Sequence, residues 1–310
     1  MLVTPDTLLD GIAQGDQRSI ARAISLIENH APQADAILAG LDSAALDQVL
    51  VLGITGPPGA GKSTLTNRLI SHFLGRGERI GVIAVDPTSS ISGGALLGDR
   101  IRMMEHAVNP KVIVRSMATR GRLGGLCSAT GGVARVMAAA GCRLVIIETV
   151  GVGQAEMDIV SLADLTLLVL APGLGDDIQA MKAGLLEVAD ILVVNKMDLP
   201  GAEALALDLE MAARTRGVGR RSSVVIAISA TENQGIAELG EAIGHKAQGL
   251  CQSGEQEKRR RSAMQTEVVD WALELLRPRL AKAVQAGEDL SFGDPRQRAR
   301  ELLLRMGFID

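Results

Sequence analysis

Seven short apolar runs recur through the middle of the chain: VLVLGI (49–54), IGVIAV (80–85), KVIVRS (111–116), RLVIIE (143–148), LTLLVL (165–170), ILVVN (191–195) and VVIAIS (224–229). Runs this continuously apolar read as strands buried on both faces, because a strand with one wet face would alternate. Helical stretches such as 62–74, 126–140 and 176–188 lie between them. Strands alternating with helices predict an α/β fold, a doubly wound and mainly parallel sheet.

The ends differ from the middle. Over residues 1–48, Asp6 is placed to cap a short turn carrying Leu8, Leu9 and Ile12, and Asp16 a second run with Ile20, Ile24 and Ile27 at helical spacing. Past about residue 235 the chain turns helical again, with a charged amphipathic stretch over 255–285 and, beyond Pro295, a last one over 300–305. The expected division is a helical N-terminal extension (1–48), an α/β domain (49–250) and a helical C-terminal segment (251–310). Exposed Leu on a polar tail suits a partner or dimer surface, and equally a plain packing helix.

The first apolar run leads into GPPGAGKST, residues 56–64, which fits GxxxxGK[ST] with a strand before it and a helix after. Gly56, Gly59, Ala60, Gly61, Lys62, Ser63 and Thr64 are therefore the candidate nucleotide cradle. Glycines let backbone N–H groups fold around phosphates, Lys62 can reach the outer phosphates, and Ser63 can ligate Mg²⁺. This is a P-loop NTPase pattern.

The sixth run delivers Asn195, Lys196, Met197 and Asp198, an NKxD motif. A carboxylate there can accept from N1–H and the exocyclic amine of guanine together, a donor pair that adenine lacks. A site built around such polar groups discriminates strongly, so GTP and GDP are the expected nucleotides. Ser229, Ala230 and Thr231, after the next run, stand where a second base-contacting loop would lie.

VIIETVGVGQ (145–154) has the shape of a nucleotide-switch loop, with Glu148 where such loops usually carry aspartate. Asp86, at the end of the run expected beside the P-loop strand, is a candidate for the Mg²⁺ shell, and Asp99 can join it from the Gly- and Ser-rich stretch that follows. Glu148, one methylene longer than Asp, is expected to reach the metal through water or to position the attacking water, with Gly151 N–H on the γ-phosphate. The competing reading has Asp86 capping the turn before Pro87 and Asp99 pairing with Arg100 or Arg102. Lys62, Asp99 and Glu148 are thus the catalytic candidates, and Ser63, Asp86, Asp99 and Glu148 the metal candidates. Val152 follows the switch glycine where small GTPases use a glutamine, and Gln154 lies three residues beyond that glycine, so slow hydrolysis without a partner is expected. Arg120 and Arg122 are either charge stabilisers or solvent-facing arginines of a Gly loop.

Bulk properties exclude several classes. The 310 residues carry a formal charge of -4, three Phe, one Trp and no Tyr, which gives neither the basic footprint nor the stacking platforms of nucleic-acid binding. The short basic run Lys258–Arg261 reads as a solvated helix face. Cys127, Cys142 and Cys251 are odd in number and widely spaced, which fits buried fillers in a reducing compartment. Acids stand at the N-terminus instead of a cationic leader, and no apolar run approaches the ~20 residues of a membrane span, so the cytoplasm is the expected location and no membrane is expected as a partner.

Taken together, GPPGAGKST, AVDPTSS, GGALLGDRIRM, RGRLGGL, ETVGVGQAE, APGLGDDIQAMKAG and NKMD, spread over 56–198, resemble the MeaB/ArgK GTPases, of the same P-loop class as the metallochaperone GTPases. Even Glu148 matches that family's pattern. The resemblance implies a GTP-hydrolysing chaperone that gates adenosylcobalamin loading and protects an adenosylcobalamin-dependent acyl-CoA mutase, usually methylmalonyl-CoA mutase. It also implies a nucleotide and Mg²⁺ centre at Lys62, Asp86, Asp99 and Glu148, a further switch facing the mutase at 172–182 with Gln179 and Lys182 in signalling positions, and a homodimer through the C-terminal part. Other classes share the cradle. A nickel-insertion metallochaperone needs shared Cys/His ligands, whereas His30, His72, His106 and His245 are scattered, with none adjacent to a cysteine. A small-molecule kinase, such as the arginine/ornithine transport kinase of older family descriptions, needs an acceptor pocket and no NKMD. A GTP-binding scaffold that never hydrolyses is the third.

Overall fold

All seven apolar runs become strands of one parallel sheet in the computed structural model of the protein. The structure describes residues 4–86, 106, 108–118, 129–149, 155–174, 183–214, 223–286 and 294–308. In chain order, α1 (Pro5–Ala13), α2 (Gln17–Glu28), α3 (Ala34–Ala39) and α4 (Ser43–Asp47) precede β1 (Leu50–Thr55) and α5 (Lys62–Gly75). Then come β2 (Ile80–Asp86), β3 (Val112–Ala118), α6 (Ala129–Ala139), β4 (Leu144–Thr149), α7 (Ala155–Leu162), β5 (Leu165–Leu170) and α8 (Ala183–Val188). The chain continues through β6 (Ile191–Val194), α9 (Ala202–Arg214), β7 (Val224–Ala227), α10 (Ile236–Gln252), α11 (Glu255–Ala286) and α12 (Pro295–Arg305).

The strand order is β3-β2-β4-β1-β5-β6-β7. Every pairing is parallel, so the carboxyl ends of the strands share one edge. β1 lies between β4 and β5, with Ile54 in register with Glu148 on one side and Leu167 on the other. That register sets the loop after β1 beside the end of β4.

Both faces of the sheet are covered. On one, Leu65, Leu69, Ile70 and Phe73 of α5 pack with Ile236, Leu239 and Ile243 of α10 over Ile54, Ile146 and Leu167. On the other, α6 and α7 cover Ile83, Val145 and Ile147, and the N-terminal helices join the same core through Leu8, Ile12, Ile20, Ile24, Ile27 and Ile37. Each of these fully buried side chains contributes roughly 1.5–3 kcal/mol through removal from water. A third cluster sets Leu185 of α8 and Leu209 of α9 against β5 and β6.

Three expectations change. Thr4, not Asp6, caps α1, accepting from Thr7 N at 3.4 Å, while Asp6 lies in the first turn behind Pro5. Proline needs no N–H partner at that position, so the preceding threonine becomes the cap. Asp16 does cap α2, accepting from Ser19 N at 2.8 Å and Ser19 Oγ at 2.7 Å. The basic run at 258–261 is only half a solvated face. Lys258 and Arg261 are exposed, but Arg259 and Arg260 turn inward onto Asp190 and Asp164, the residues before β6 and β5. Cys142 is a buried filler, whereas Cys251 is exposed on α10, and Cys127 lies outside the described residues.

The chain divides into two compact units, Met1–Ala263 and Met264–Asp310. The second holds the later part of α11 and all of α12, which Asp294 caps by accepting from Arg296 N at 3.2 Å. No residue of α12 is buried, and Val268, Val269, Leu273 and Leu275 of α11 are exposed. Among the described residues, no helix is long and apolar enough to cross a membrane.

Candidate nucleotide site

The loop between β1 and α5 can follow its path only as glycine at two points. Gly56 has φ 142°, and a Cβ there would stand 2.1 Å from the Val169 carbonyl oxygen of β5. Gly61 has φ 91°, and a Cβ would meet the Asn195 amide nitrogen at 2.3 Å. Both are left-handed conformations and both are close approaches of backbone to a neighbour, so a side chain is excluded twice over. Gly61 precedes α5 without a side-chain cap, which leaves the first N–H groups of that helix pointing into the loop, as an anion site requires. Ala60 is fully buried in the loop, Gly59 has φ 77°, and Thr64 is exposed.

Lys62, the first residue of α5, folds its ammonium back over this loop. Its Nζ donates to Gly56 O at 2.8 Å and to Pro57 O at 3.0 Å. Beside it, near the end of β4, Glu148 accepts from Ser63 Oγ at 2.5 Å through Oε1 and from Thr66 Oγ1 at 2.7 Å through Oε2. Glu148 and Thr66 are buried. The Ser63 hydroxyl and the Glu148 carboxylate are hard oxygen donors side by side, which is the kind of site Mg²⁺ takes, with few protein ligands and the rest phosphate and water. Among the described residues no three His, Cys, Asp or Glu side chains converge, so the fit for Mg²⁺ rests on that pair.

The NKxD segment lies beyond the end of β6. The buried Asn195 amide ties two loops together, its Nδ2 donating to Ala60 O at 2.8 Å and its Oδ1 accepting from Ala230 N at 3.0 Å. Lys196 takes a left-handed φ of 62°, and Met197 N donates to Ile228 O at 3.1 Å. Asp198 is exposed, and its Oδ1 accepts from Ser229 Oγ at 2.7 Å, with Thr231 Oγ1 3.2 Å from the same hydroxyl. The phosphate loop and the two base loops therefore form one bonded unit, brought together from the ends of β1, β6 and β7.

Other predicted site residues lie outside the described residues: Asp99, Gly151, Gln154, Arg120, Arg122, Gln179 and Lys182. Asp86 ends β2 in register with Ala118, and its side chain is likewise outside them.

A family description, methylmalonyl Co-A mutase-associated GTPase MeaB, matches residues 20–289. The chain belongs to the MeaB family. A protein of Pyrococcus abyssi named as a GTPase is 46% identical over 289 residues, covering 91% of this chain and 88% of its own. The methylmalonic aciduria type A homolog of mouse mitochondria is 33% identical over 294 residues, covering 86% of this chain and 68% of its own. A crystal structure described as an LAO/AO transport system kinase, 24% identical, superposes with a TM-score of 0.68 over 99% of each chain, and so shares the fold. The MeaB-family chain is a GTP hydrolase of the P-loop class.

The motif spacing points to most of this MeaB-family site, but not to Thr66. Its only sequence signal is a second hydroxyl three residues after Ser63, on the same side of a helix. The hydroxyl acquires a partner only when β4 pairs with β1 and carries Glu148 alongside.

Proposed function

We propose that this MeaB-family GTPase is a chaperone for an adenosylcobalamin-dependent acyl-CoA mutase, methylmalonyl-CoA mutase first, gating cofactor loading and protecting the loaded enzyme. The observation that carries the nucleotide half of the reading is the bonded unit around Asn195. Because Ala60, Ala230 and, through Ser229, Asp198 share one network, occupancy of the base loops and order in the phosphate loop rise and fall together. The family description and the mouse relative's name support the choice of client.

In this reading Lys62 turns from the Gly56 and Pro57 carbonyls to the outer phosphates, and the backbone N–H groups of Gly59 to Thr64 enclose them. Ser63 and Glu148, with Asp86 and Asp99, would hold Mg²⁺, which would supply charge screening for the phosphates. Glu148, held by Thr66, keeps its other oxygen toward Ser63 and the attacking water. Asp198 reads guanine, with Lys196 and the Ser229–Thr231 loop completing the base pocket. Gly151 N–H faces the γ-phosphate. Hydrolysis is slow without the mutase, since Val152 stands where a water-orienting glutamine would be. The mutase engages residues near Gln179 and Lys182, and the working form is a homodimer through the C-terminal segment.

The test is phosphate release from GTP with and without purified methylmalonyl-CoA mutase, together with co-elution of the two proteins. The expected outcome is co-elution and faster release with the mutase, and Lys182→Ala binding GTP as before while losing that acceleration. Neither co-elution nor acceleration with any cobalamin-dependent mutase would remove the client. Fast release by the protein alone, at rates typical of partner-stimulated GTPases, would remove the gating.

A further inference from the structure

Helix α5 opens with the phosphate residues Lys62 and Ser63, and less than two turns later presents Arg68 to the loop that follows β7. Arg68 Nε donates to the Ala230 carbonyl at 2.8 Å, and its terminal nitrogen donates to the Thr231 carbonyl at 3.0 Å. Two successive carbonyls converging on one point repel each other unless donors sit between them, and charged donors do this most strongly. A guanidinium offers charge and two donors in a rigid fork, which fixes the angle between the two carbonyls. An ammonium can serve two successive carbonyls, as Lys62 does at Gly56 and Pro57, without fixing that angle.

The consequence reaches the base loop as a whole. Ala230 is gripped from both sides, its N–H by Asn195 Oδ1 and its carbonyl by Arg68. Because a trans peptide is planar, a carbonyl turned toward Arg68 aims the next N–H the opposite way, which fixes the direction of the Thr231 and Glu232 amides. The residue just before, Ser229, donates to Asp198 Oδ1 and so orients the carboxylate of the NKxD segment. Arg68 thus connects the helix that begins at the phosphates to the loop that aims Asp198.

We propose that Arg68 is a specificity-determining positioning residue. By holding the Ala230 and Thr231 carbonyls it sets where Ser229 and Asp198 stand relative to the phosphate loop, and with that how strongly guanine is preferred over adenine. The proposal rests on the guanine-nucleotide reading of this site. It assigns Arg68 a role in discrimination, beyond that of an anchor for the fold.

The experiment compares full-length wild type, Arg68→Gln and Arg68→Lys. GDP affinity is measured by calorimetry, ADP affinity by competition, and thermal melting without nucleotide. Loss of a charge-assisted hydrogen-bond pair should weaken GDP by about tenfold or more in Arg68→Gln. Melting should fall by a few degrees, as loss of an anchor requires, while ADP affinity should change little, so the GDP-to-ADP preference falls by a similar factor. Arg68→Lys, with charge but no fork, should fall between the two. An unchanged preference in Arg68→Gln beside a wild type that prefers GDP overturns the proposal, also where both affinities drop together. Should Arg68→Gln fail to fold, an unchanged preference in Arg68→Lys overturns it equally. A wild type with no preference for GDP overturns the guanine reading itself, and this proposal with it.

Discussion

Glu148 shows what one methylene does. From near the end of β4 its carboxylate spans two hydroxyls of α5, so a buried charge that would otherwise be costly has donors on both oxygens. Thr66→Val removes one donor and frees the carboxylate to turn. We expect about tenfold slower GTP hydrolysis and a higher Mg²⁺ concentration for half-maximal nucleotide binding, while Thr66→Ser stays near wild type. Phosphate release and GDP binding across a Mg²⁺ titration check this, and wild-type behaviour in Thr66→Val would leave Thr66 a packing residue. Cys142 gives a second residue-scale prediction. Burial pushes its thiol from an ordinary 9.0 up to about 12, with nearby Arg79 pulling weakly the other way. A raised pKa in the folded state means that the stability from keeping the thiol protonated is complete below pH 9 and is lost as pH rises toward 12. Alkylation at pH 8 followed by peptide mapping should therefore label Cys251 and spare Cys142. Lys62 and Ser63 were legible because the P-loop is defined by spacing along the chain. Thr66 and Arg68 were not, because their partners lie on other strands and loops, 82 and 162 residues away.

At the scale of elements, the first turns of α11 form a clamp on the amino-end edge of the sheet. Arg259 donates to both oxygens of Asp190 at 2.9 and 3.0 Å, and Arg260 to both oxygens of Asp164 at 2.7 and 2.8 Å. The two carboxylates also accept from Thr166 N and Val51 N, and Arg260 reaches the Leu46 and Val49 carbonyls. The Asp164 hydrogen bond raises the pKa of Arg260 further, outweighing its burial, so it stays charged at any working pH. Removing one partner of such a pair leaves the other charge buried and unmatched. Arg259→Ala should cost roughly 3–5 kcal/mol in denaturant unfolding. Lys258→Ala and Arg261→Ala, whose side chains are 76% and 74% exposed, should stay within about 0.5 kcal/mol. Equal effects at these three positions would deny the clamp. Four identical-looking charges in a row differ only in which side of the helix meets an acid, and periodicity without the acids' positions could not tell them apart. The strands, by contrast, were readable almost to their ends, since continuous burial leaves an unbroken apolar run.

For the whole molecule, the unit Met264–Asp310 exposes Val268, Val269, Leu273 and Leu275, with Val268 and Leu275 two turns apart on one side of α11 and Val269 and Leu273 one turn apart on a neighbouring side. With the homodimer proposed above, light scattering should give twice the mass of the chain. Val268→Glu with Leu275→Glu should give monomers that still bind GDP, and a monomeric wild type would end the dimer proposal. The parallel α/β sheet, the P-loop and the NKxD segment were determined by sequence alone, because hydrophobic runs and short-range motifs report conformations set within a few residues. The Ser63–Glu148–Thr66 contact, the double grip on Ala230 and the inward turn of Arg259 and Arg260 were decided by tertiary structure. Each is a hydrogen bond between groups far apart in the chain, and its geometry exists only once parallel pairing has carried those strand ends and helices to the same place.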